Sequence, residues 1–317
     1  MPSWQARCLN EFVRVLIRRR TWGGDERAVA RRARRLFGTP APLTLLRTRG
    51  LRLEQVDDAG VRGEWVTPES PGRGVVLYVH GGGFVSCSAA THRPITAALA
   101  RLSRRRVFSI NYRLAPEHRF PAGLDDAFAA YRWLLGRGLP AGDISIAGDS
   151  AGGNLVLGVL LRARDKGLPR PSSAVCFSPW TDLAGTGESV RLNDGRCAMF
   201  RPESIEEFAA AYLDGALSTR DPRASPVFAD LGGLPPLLLQ VGSTELLLDD
   251  ARRVHLQILK AGGSSRLEIF DDVFHCWQML DGFVPEARAA LRQAADFIRA
   301  HAPAAEVAPP ARDTSTT

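Results

Sequence analysis

A serine flanked by glycines, in residues 148–154, is the feature that most constrains the fold of this chain. Residues 144–147 before it have the apolar character of a short buried strand, and residues 155–161 after it begin an apolar, helix-compatible run. Glycines at such a strand-to-helix turn avoid collisions with neighbouring backbone, and the Ser150 hydroxyl is then exposed above the sheet edge. The same residue pattern also occurs by chance as a flexible turn, so the surrounding elements must decide between the two interpretations.

The rest of the chain alternates short apolar runs with helical patterns, such as those at 95–102 and 124–135. The predicted strands are 75–79, 107–110, 144–147, 174–177, 237–241 and, as the last one, 267–270. Continuous apolar strands between helices indicate a mostly parallel sheet that is covered on both faces, so we predict an α/β fold. Residues 51–57 and 61–67 alternate around a turn and predict an antiparallel hairpin, and residues 285–300 predict a closing helix.

Three segments lie outside this alternation. Residues 4–20 place Trp4, Cys8, Phe12 and Leu16 at helical spacing, and residues 27–37 show a second such pattern. Both patterns predict arginine-rich amphipathic helices. Such a helix could simply expose its polar face to solvent, or it could act as a lid over an active site or contact a membrane. Residues 182–230 interrupt the strand pattern and predict an insertion with a helix at 204–213. We expect 1–50 to hold the N-terminal helices, 51–302 the main domain with that insertion, and 303–317 a disordered tail.

A serine nucleophile needs a base, and the base needs a carboxylate that orients it. Of the histidines that follow Ser150, His255 lies in a helical pattern and His301 beside the tail, whereas His275 follows the last strand. We therefore favour His275. The acid is expected after the strand at 237–241, where Glu245 comes first. The alternatives are the helix-start residues Asp249 and Asp250, and Asp271 and Asp272 in the loop of His275.

A glycine-rich turn, residues 80–84, follows the strand at 75–79. Its sequence His-Gly-Gly-Gly-Phe is the kind that supplies backbone N–H donors to an oxyanion, together with the residue after the nucleophile, here Ala151. A phosphate-binding loop would need a Gly-Lys-Ser/Thr ending, which is missing. The turn therefore indicates acyl transfer.

Three motifs together resemble the hormone-sensitive lipase family, the bacterial esterase family IV of α/β-hydrolases. They are residues 80–84, residues 112–122 with Tyr-Arg-Leu-Ala-Pro-Glu, and residues 148–154; residues 178–183 are also similar. The resemblance spans residues 70–300 and implies an α/β-hydrolase fold in which the N-terminal helices and the insertion form a cap.

The resemblance also implies roles for individual residues. Ser150 would be the nucleophile and His275 the base, with Gly82, Gly83 and Ala151 as oxyanion donors and His80 as a structural residue. The family usually has Asp where this chain has Glu245. Glu keeps the charge and adds a methylene, so we expect the loop to lie slightly further back for the same contact with His275.

The composition argues against several other classes of protein. The net charge of +7 is the excess of 41 basic over 34 acidic residues, and only Lys166 and Lys260 of the basic residues are lysines. No nucleic-acid-binding motif accompanies this charge. The five scattered cysteines indicate neither a disulfide framework nor a zinc site. We expect no cofactor, no metal, no nucleic-acid partner and no membrane association, a cytoplasmic location, and either one copy or a homodimer.

The predicted function is a serine carboxylesterase that acts on small-molecule esters with short to medium acyl chains. Hydrolysis of a lactone, an amide or an aryl ester is the alternative, because a triad does not distinguish these bonds. A ligand-binding protein without catalysis is a further alternative, because a fold alone does not imply activity.

Overall fold

The computed structural model describes residues 2–18, 24–40, 47–215 and 217–302. Its centre is an eight-stranded sheet with the order β1-β2-β4-β3-β5-β6-β7-β8. The strands are β1 (Leu51–Asp58), β2 (Val61–Pro68), β3 (Val75–Val79), β4 (Arg106–Ile110), β5 (Ile144–Asp149), β6 (Ser173–Phe177), β7 (Leu237–Gly242) and β8 (Ser265–Phe270). The predicted tail at 303–317 lies outside the described residues.

The sheet is parallel from β4 to β8, while β1 pairs with β2 and β2 with β4 in antiparallel register. The strands β3, β5, β6 and β7 are buried along their whole length, as their largely apolar sequences predict. The predicted α/β fold class is confirmed. Because the central strands are parallel, their carboxyl ends share one edge of the sheet, where the loops after β3, β5, β6, β7 and β8 meet.

Helices cover both faces of the sheet. They are α1 (Trp4–Val13), α2 (Glu26–Phe37), α3 (Arg93–Ser103), α4 (Ala122–Gly136), α5 (Ala151–Asp165), α6 (Glu188–Leu192), α7 (Pro202–Tyr212), α8 (Leu248–Lys260) and α9 (Pro285–Ala300). On one face α3 and α9 pack together through residues such as Leu99 and Leu291. On the other face α4, α5 and α8 form the larger core.

The insertion between β6 and β7 contains two helices, α6 and α7, where the sequence predicted only one. α6 is a single short turn whose five residues are too few to show a helical period. No helix among the described residues is long and apolar enough to span a bilayer.

The N-terminal helix differs from its prediction in two ways. The α-helix ends at Val13 and continues as a π-helical turn, Arg14–Arg18. Its buried residues are Ala6, Asn10 and Val13. Ala6 and Val13 pack in the apolar cluster of the loop after β8, and the Asn10 side-chain amide donates to the Asp272 carbonyl at 2.6 Å. The larger apolar residues of the predicted pattern, including Trp4 and Phe12, face outward.

Candidate active site

Ser150 lies at a sharp turn between β5 and α5, with φ 52° and ψ −122°. A non-glycine residue with positive φ is strained, and such strain persists only where the surroundings hold it. The neighbouring glycines make the turn possible. A Cβ on Gly148 would lie 2.7 Å from the Val79 carbonyl oxygen, and one on Gly152 would lie 2.0 Å from the same atom.

The turn is held from the adjacent strand. The Ser150 amide donates to the Phe177 carbonyl at 2.9 Å, and the Trp180 amide donates to the Ser150 carbonyl at 3.0 Å. The side-chain amide of Asn154, one helical turn further on, donates to the carbonyls of Trp180 and Ala224, both at 2.9 Å. These bonds tie the backbone of Ser150 to the loop after β6 and preserve its strained conformation.

Ser150, His275 and Glu245 form a continuous hydrogen-bonded chain. His275 Nε2 lies 2.9 Å from Ser150 Oγ, and His275 Nδ1 lies 2.6 Å from Glu245 Oε2. Ser150 is 9% exposed, His275 4% and Glu245 1%, so only the serine end of the chain meets open space. The arrangement can pass a proton from the hydroxyl to the imidazole while the carboxylate fixes the ring.

The Glu245 carboxylate is anchored by its second oxygen. Glu245 Oε1 accepts hydrogen bonds from the Gly242 amide at 2.6 Å and from Ser178 Oγ at 2.7 Å. Ser178 follows β6 directly and has a φ of 45°. Its contact with the acid was not predicted, although its position at the carboxyl end of the strand beside β7 was a signal for it.

The other candidate acids at the start of α8 bind elsewhere. Asp249 accepts from the Ser189 amide at 2.8 Å, and Asp250 accepts from the amides of Thr181 and Asp182 at 2.6 and 2.8 Å. Burial, with the charge of Asp182, raises the pKa of Asp250 to about 8. Both aspartates therefore join the insertion to α8 rather than contact His275.

The remaining candidates also lie apart from the triad. Asp271 and Asp272 both contact Ser243, through Asp271 Oδ1 and the Asp272 amide. His255 hydrogen-bonds to a serine of β8 and His301 to a carbonyl of α9. None of them contacts Ser150 or Glu245 among the described residues.

The glycine-rich turn after β3 has the backbone that donors to an oxyanion need. Gly82 and Gly83 have φ of 109° and 62°, and a Cβ on Gly83 would lie 2.4 Å from the Phe208 ring. Within the described part of the chain, the amides of Gly82 and Gly83 donate to no protein acceptor. Ala151 is the first residue of α5, where an amide has no acceptor in its own helix.

A buried network under the turn includes Asp149, the residue before Ser150. Asp149 Oδ1 accepts from Tyr78 Oη at 2.6 Å and from the Gly81 amide at 3.0 Å, and Oδ2 lies 3.1 Å from His92 Nε2. Burial alone raises the pKa of a carboxyl, but His92 and the Tyr78 hydroxyl lower the pKa of Asp149 to about 2. The charged carboxylate thus ties the glycine-rich turn to Ser150. The sequence did not predict this contact.

His80 has the place of a structural residue. Its ring stacks on Tyr112 with centroids 4.3 Å apart, and Tyr112 Oη donates to the His80 carbonyl at 2.9 Å. Burial, with the charge of His92 as a second cause, lowers the pKa of His80 to about 3. The ring is therefore neutral at pH 7 and fills space beneath the turn.

A cavity of about 450 Å³ opens onto the Ser150 hydroxyl. Its lining is almost entirely apolar and combines Gly82 and Gly83 with side chains from α1, α2 and α7, such as Phe12, Phe37 and Phe208. Among the described residues, no group of His, Cys, Asp and Glu side chains could hold a metal ion. The Ser150 hydroxyl therefore lies at the floor of an apolar pocket.

Residues 76–279 match the family described as the alpha/beta hydrolase fold, which is more than half of the chain. The chain belongs to the α/β-hydrolase family. This hydrolase is 42% identical to an acetyl-hydrolase of Streptomyces hygroscopicus over 236 residues, which cover 74% of this chain and 79% of that protein. It is 38% identical to an esterase of Acinetobacter venetianus over 239 residues, which cover 75% and 79%.

Solved structures agree with this assignment. A crystal structure of EstE5 soaked with p-nitrophenyl butyrate has a TM-score of 0.86 and 38% identity, and the match covers 94% of this hydrolase and 99% of EstE5. An esterase from the bacterial hormone-sensitive lipase family has a TM-score of 0.85 and 37% identity, with 95% and 99% covered. The membership in the hormone-sensitive lipase family predicted from the motifs is confirmed.

Proposed function

We propose that this protein is a serine carboxylesterase that hydrolyses short- to medium-chain acyl esters through an acyl-enzyme on Ser150. The observation that carries the proposal is the continuous contact from Ser150 Oγ through His275 to Glu245 at the floor of an apolar cavity. The relatives named as esterases support the same class of reaction.

In the first half-reaction, Ser150 Oγ attacks the ester carbonyl carbon while its proton passes to His275 Nε2. Glu245 keeps the proton of Nδ1 in place and stabilises the imidazolium that forms. Collapse of the tetrahedral intermediate breaks the bond to the alcohol oxygen, which takes the proton from Nε2. The alcohol leaves, and the acyl group remains on Ser150.

Deacylation repeats these steps with water as the nucleophile. His275 Nε2 takes a proton from the water, and the hydroxide adds to the acyl carbonyl. When the second intermediate collapses, Ser150 recovers its proton and the carboxylic acid is released. No cofactor takes part in this sequence of bond changes.

The negative oxygen of each intermediate needs donors that are already in place. We assign this role to the amides of Gly82, Gly83 and Ala151. Two observations support the assignment: within the described residues the amides of the two glycines donate to no protein acceptor, and Ala151 is the first residue of α5. One such donor is typically worth about 100- to 1000-fold in turnover.

The substrate pocket is proposed to lie beneath a cap formed by the N-terminal helices and the 182–230 insertion. Side chains from α1, α2 and α7 supply the apolar walls, so an acyl chain or an apolar alcohol group would lie against them. A volume of about 450 Å³ suits a small ester rather than a long-chain lipid in full extension.

The cytoplasmic location stays a prediction from the cysteine content, and the oligomeric state is open between one copy and a homodimer. Lactone or amide hydrolysis is the competing chemistry. A series of p-nitrophenyl esters from C2 to C16, assayed beside a lactone and an anilide, distinguishes these. We expect the largest kcat/KM with esters of C2 to C8 acids.

The nucleophile is tested with Ser150→Ala. We expect no detectable ester hydrolysis above the uncatalysed rate, with an unchanged melting temperature, because the hydroxyl is removed from the mouth of a packed turn. A fluorophosphonate should add one equivalent to the wild-type protein, on Ser150 by peptide mass spectrometry, and none to the variant. Retained turnover in Ser150→Ala would contradict the mechanism.

A further inference from the structure

The outward side of α1 carries large apolar side chains. Trp4 is 66% exposed and Phe12 60%, and Cys8 between them is also exposed. Steps of four residues place these three on one side of the helix. Val15, in the following π-helical turn, is 49% exposed. We call Trp4, Cys8, Phe12 and Val15 the outer stripe; exposed apolar groups clustered in this way mark interaction surfaces.

The positive charge of the protein is concentrated in the same part of the chain. Residues 1–37 contain ten arginines and three acidic residues, hence +7, which equals the net charge of the whole protein. Residues 38–317 are therefore neutral in sum. Arg7 of α1 and Arg27, Arg31 and Arg35 of α2 are exposed. Both helices border the same cavity, so the apolar side chains of α1 and the arginines of α2 belong to one region of the surface. Apolar side chains combined with arginines are typical of segments that lie in a membrane interface.

The composition led us to expect no membrane association, but the placement of these side chains favours the alternative of a membrane contact. We propose that the outer stripe and the exposed arginines of α2 dock the protein on an anionic lipid bilayer. The apolar side chains would enter the boundary between headgroups and acyl chains, and the arginines would contact the negative headgroups. α1 and α2 would lie along the membrane surface, as amphipathic segments with apolar and basic side chains do.

The charge distribution decides between a bilayer and a second copy of this chain as the occupant. Two copies that met through this segment would bring the exposed arginines of both α2 helices together, and the like charges would repel. An anionic surface instead attracts these arginines. The position of Phe12 adds a functional argument, since its ring is on the outer stripe and also lines the cavity above Ser150. The docked face therefore borders the pocket.

The test is cosedimentation of the full-length protein with phosphatidylcholine vesicles that contain either no phosphatidylglycerol or about a third of it. We expect binding only to the anionic vesicles, weakened by added salt. Trp4→Ser with Val15→Ser should lower the partition coefficient about tenfold or more, because two apolar side chains no longer enter the interface.

The arginines are tested separately by the triple change Arg27→Gln, Arg31→Gln and Arg35→Gln. A basic residue near an anionic surface contributes about a fivefold gain in binding, so the triple variant should bind about a hundredfold more weakly. Neither variant touches a residue of the cavity. Hydrolysis of soluble p-nitrophenyl acetate should therefore stay unchanged in both, which also shows that they fold.

Matched controls keep the same chemistry on other surfaces. Leu256→Ser removes an apolar side chain that is 62% exposed on α8. Arg132→Gln, Arg170→Gln and Arg292→Gln together remove the same three charges from exposed sites elsewhere. Both controls should bind vesicles like the wild type.

Three results would overturn the proposal. The first is a wild-type protein that does not bind anionic vesicles at low salt, and the second is a loss of binding in the controls as large as in the outer-stripe and arginine variants. The third is a wild-type protein that binds no vesicles but forms a dimer in sedimentation velocity, which the Trp4→Ser, Val15→Ser change dissociates. The last result would assign the outer stripe to a second copy of this chain. Vesicle binding needs no catalysis, so its failure is distinct from failure of the proposed esterase activity.

Discussion

Replacement of Glu245 by Gln tests the acid of the triad with the smallest change in shape. One carboxylate oxygen faces His275 Nδ1, and the other faces two donors, the Gly242 amide and the Ser178 hydroxyl. If the NH₂ group of Gln points toward Gly242, it meets the Gly242 N–H, and two donors face each other. If the NH₂ group points toward His275 instead, it donates to Nδ1 and forces the imidazole proton onto Nε2, which can then no longer accept the proton of Ser150.

The expected loss is large because both orientations fail. A carboxamide in place of a triad carboxylate lowers kcat by about 10⁴ through the wrong imidazole tautomer. We expect a fall of about 10³ to 10⁴ in kcat, which corresponds to roughly 4 to 5.5 kcal/mol of transition-state stabilisation. KM should change little, because Glu245 is only 1% exposed and lies behind the histidine.

The assay is hydrolysis of p-nitrophenyl butyrate over a range of concentrations, with thermal unfolding followed by circular dichroism. Asp249→Asn is the matched control, since it makes the same chemical change four residues later in the chain, where the carboxylate accepts from the Ser189 amide. It should stay within about threefold of the wild type, because an amide oxygen can still accept that bond. A folded Glu245→Gln variant within tenfold of the wild type, or an equal loss in Asp249→Asn, would refute the assignment.

Three further changes probe other parts of the site. Ser178→Ala should lower kcat about tenfold with little change in KM, because Glu245 loses a donor at 2.7 Å and its carboxylate is positioned less firmly against His275; an unchanged kcat would contradict a role of Ser178 in positioning Glu245. Asp250→Asn should raise the melting temperature above pH 8 without a change in kcat. The pKa of Asp250 is raised to about 8 in the folded state, so its contribution to stability declines as pH rises from about 4 to 8, and the amide removes that decline; equal pH dependence of both melting curves would contradict this. Phe12→Ala should lower kcat/KM for a C8 ester about three- to tenfold more than for a C2 ester, since a half-exposed ring of the cavity wall is lost. Leu256→Ala, outside the cavity, should not change that ratio.

The sheet could be predicted because its strands are buried on both faces. A run such as residues 75–79 has no polar side to place, so its sequence alone identifies a central parallel strand. The face of α1 could not be predicted in the same way. Helical spacing identified Trp4 and Phe12 as neighbours, but the helix is held by Ala6 and Asn10, and their contacts with the loop after β8 depend on residues more than 250 positions away.

The same distinction applies to the site. Strand position and chain order were sufficient to select Ser150, His275 and Glu245, which the structure places in contact, while their roles in catalysis stay predictions. The residues that hold the site in place, Asp149 and Ser178, were not identified from the sequence. Their hydrogen-bond partners lie 57 to 71 residues away from them in the chain. A polar residue at the carboxyl end of a parallel strand is the signal that both share.

The motif resemblance leads us to expect an Asp where this chain has Glu245, and the contacts of the longer side chain give the added methylene a role. The carboxylate must reach His275 Nδ1 at 2.6 Å while its other oxygen stays on the Gly242 amide, at the base of the same loop. An Asp at this position would withdraw the carboxylate by about 1.5 Å, one carbon–carbon bond. The shorter carboxylate could then keep its hydrogen bond to the Gly242 amide or its contact with His275 Nδ1, but not both. Glu245→Asp retains the charge, so we expect a loss of about ten- to a hundredfold in kcat, between those of the wild type and Glu245→Gln. Full activity in Glu245→Asp would mean that the loop moves to follow the shorter side chain, and that charge alone is required of the acid.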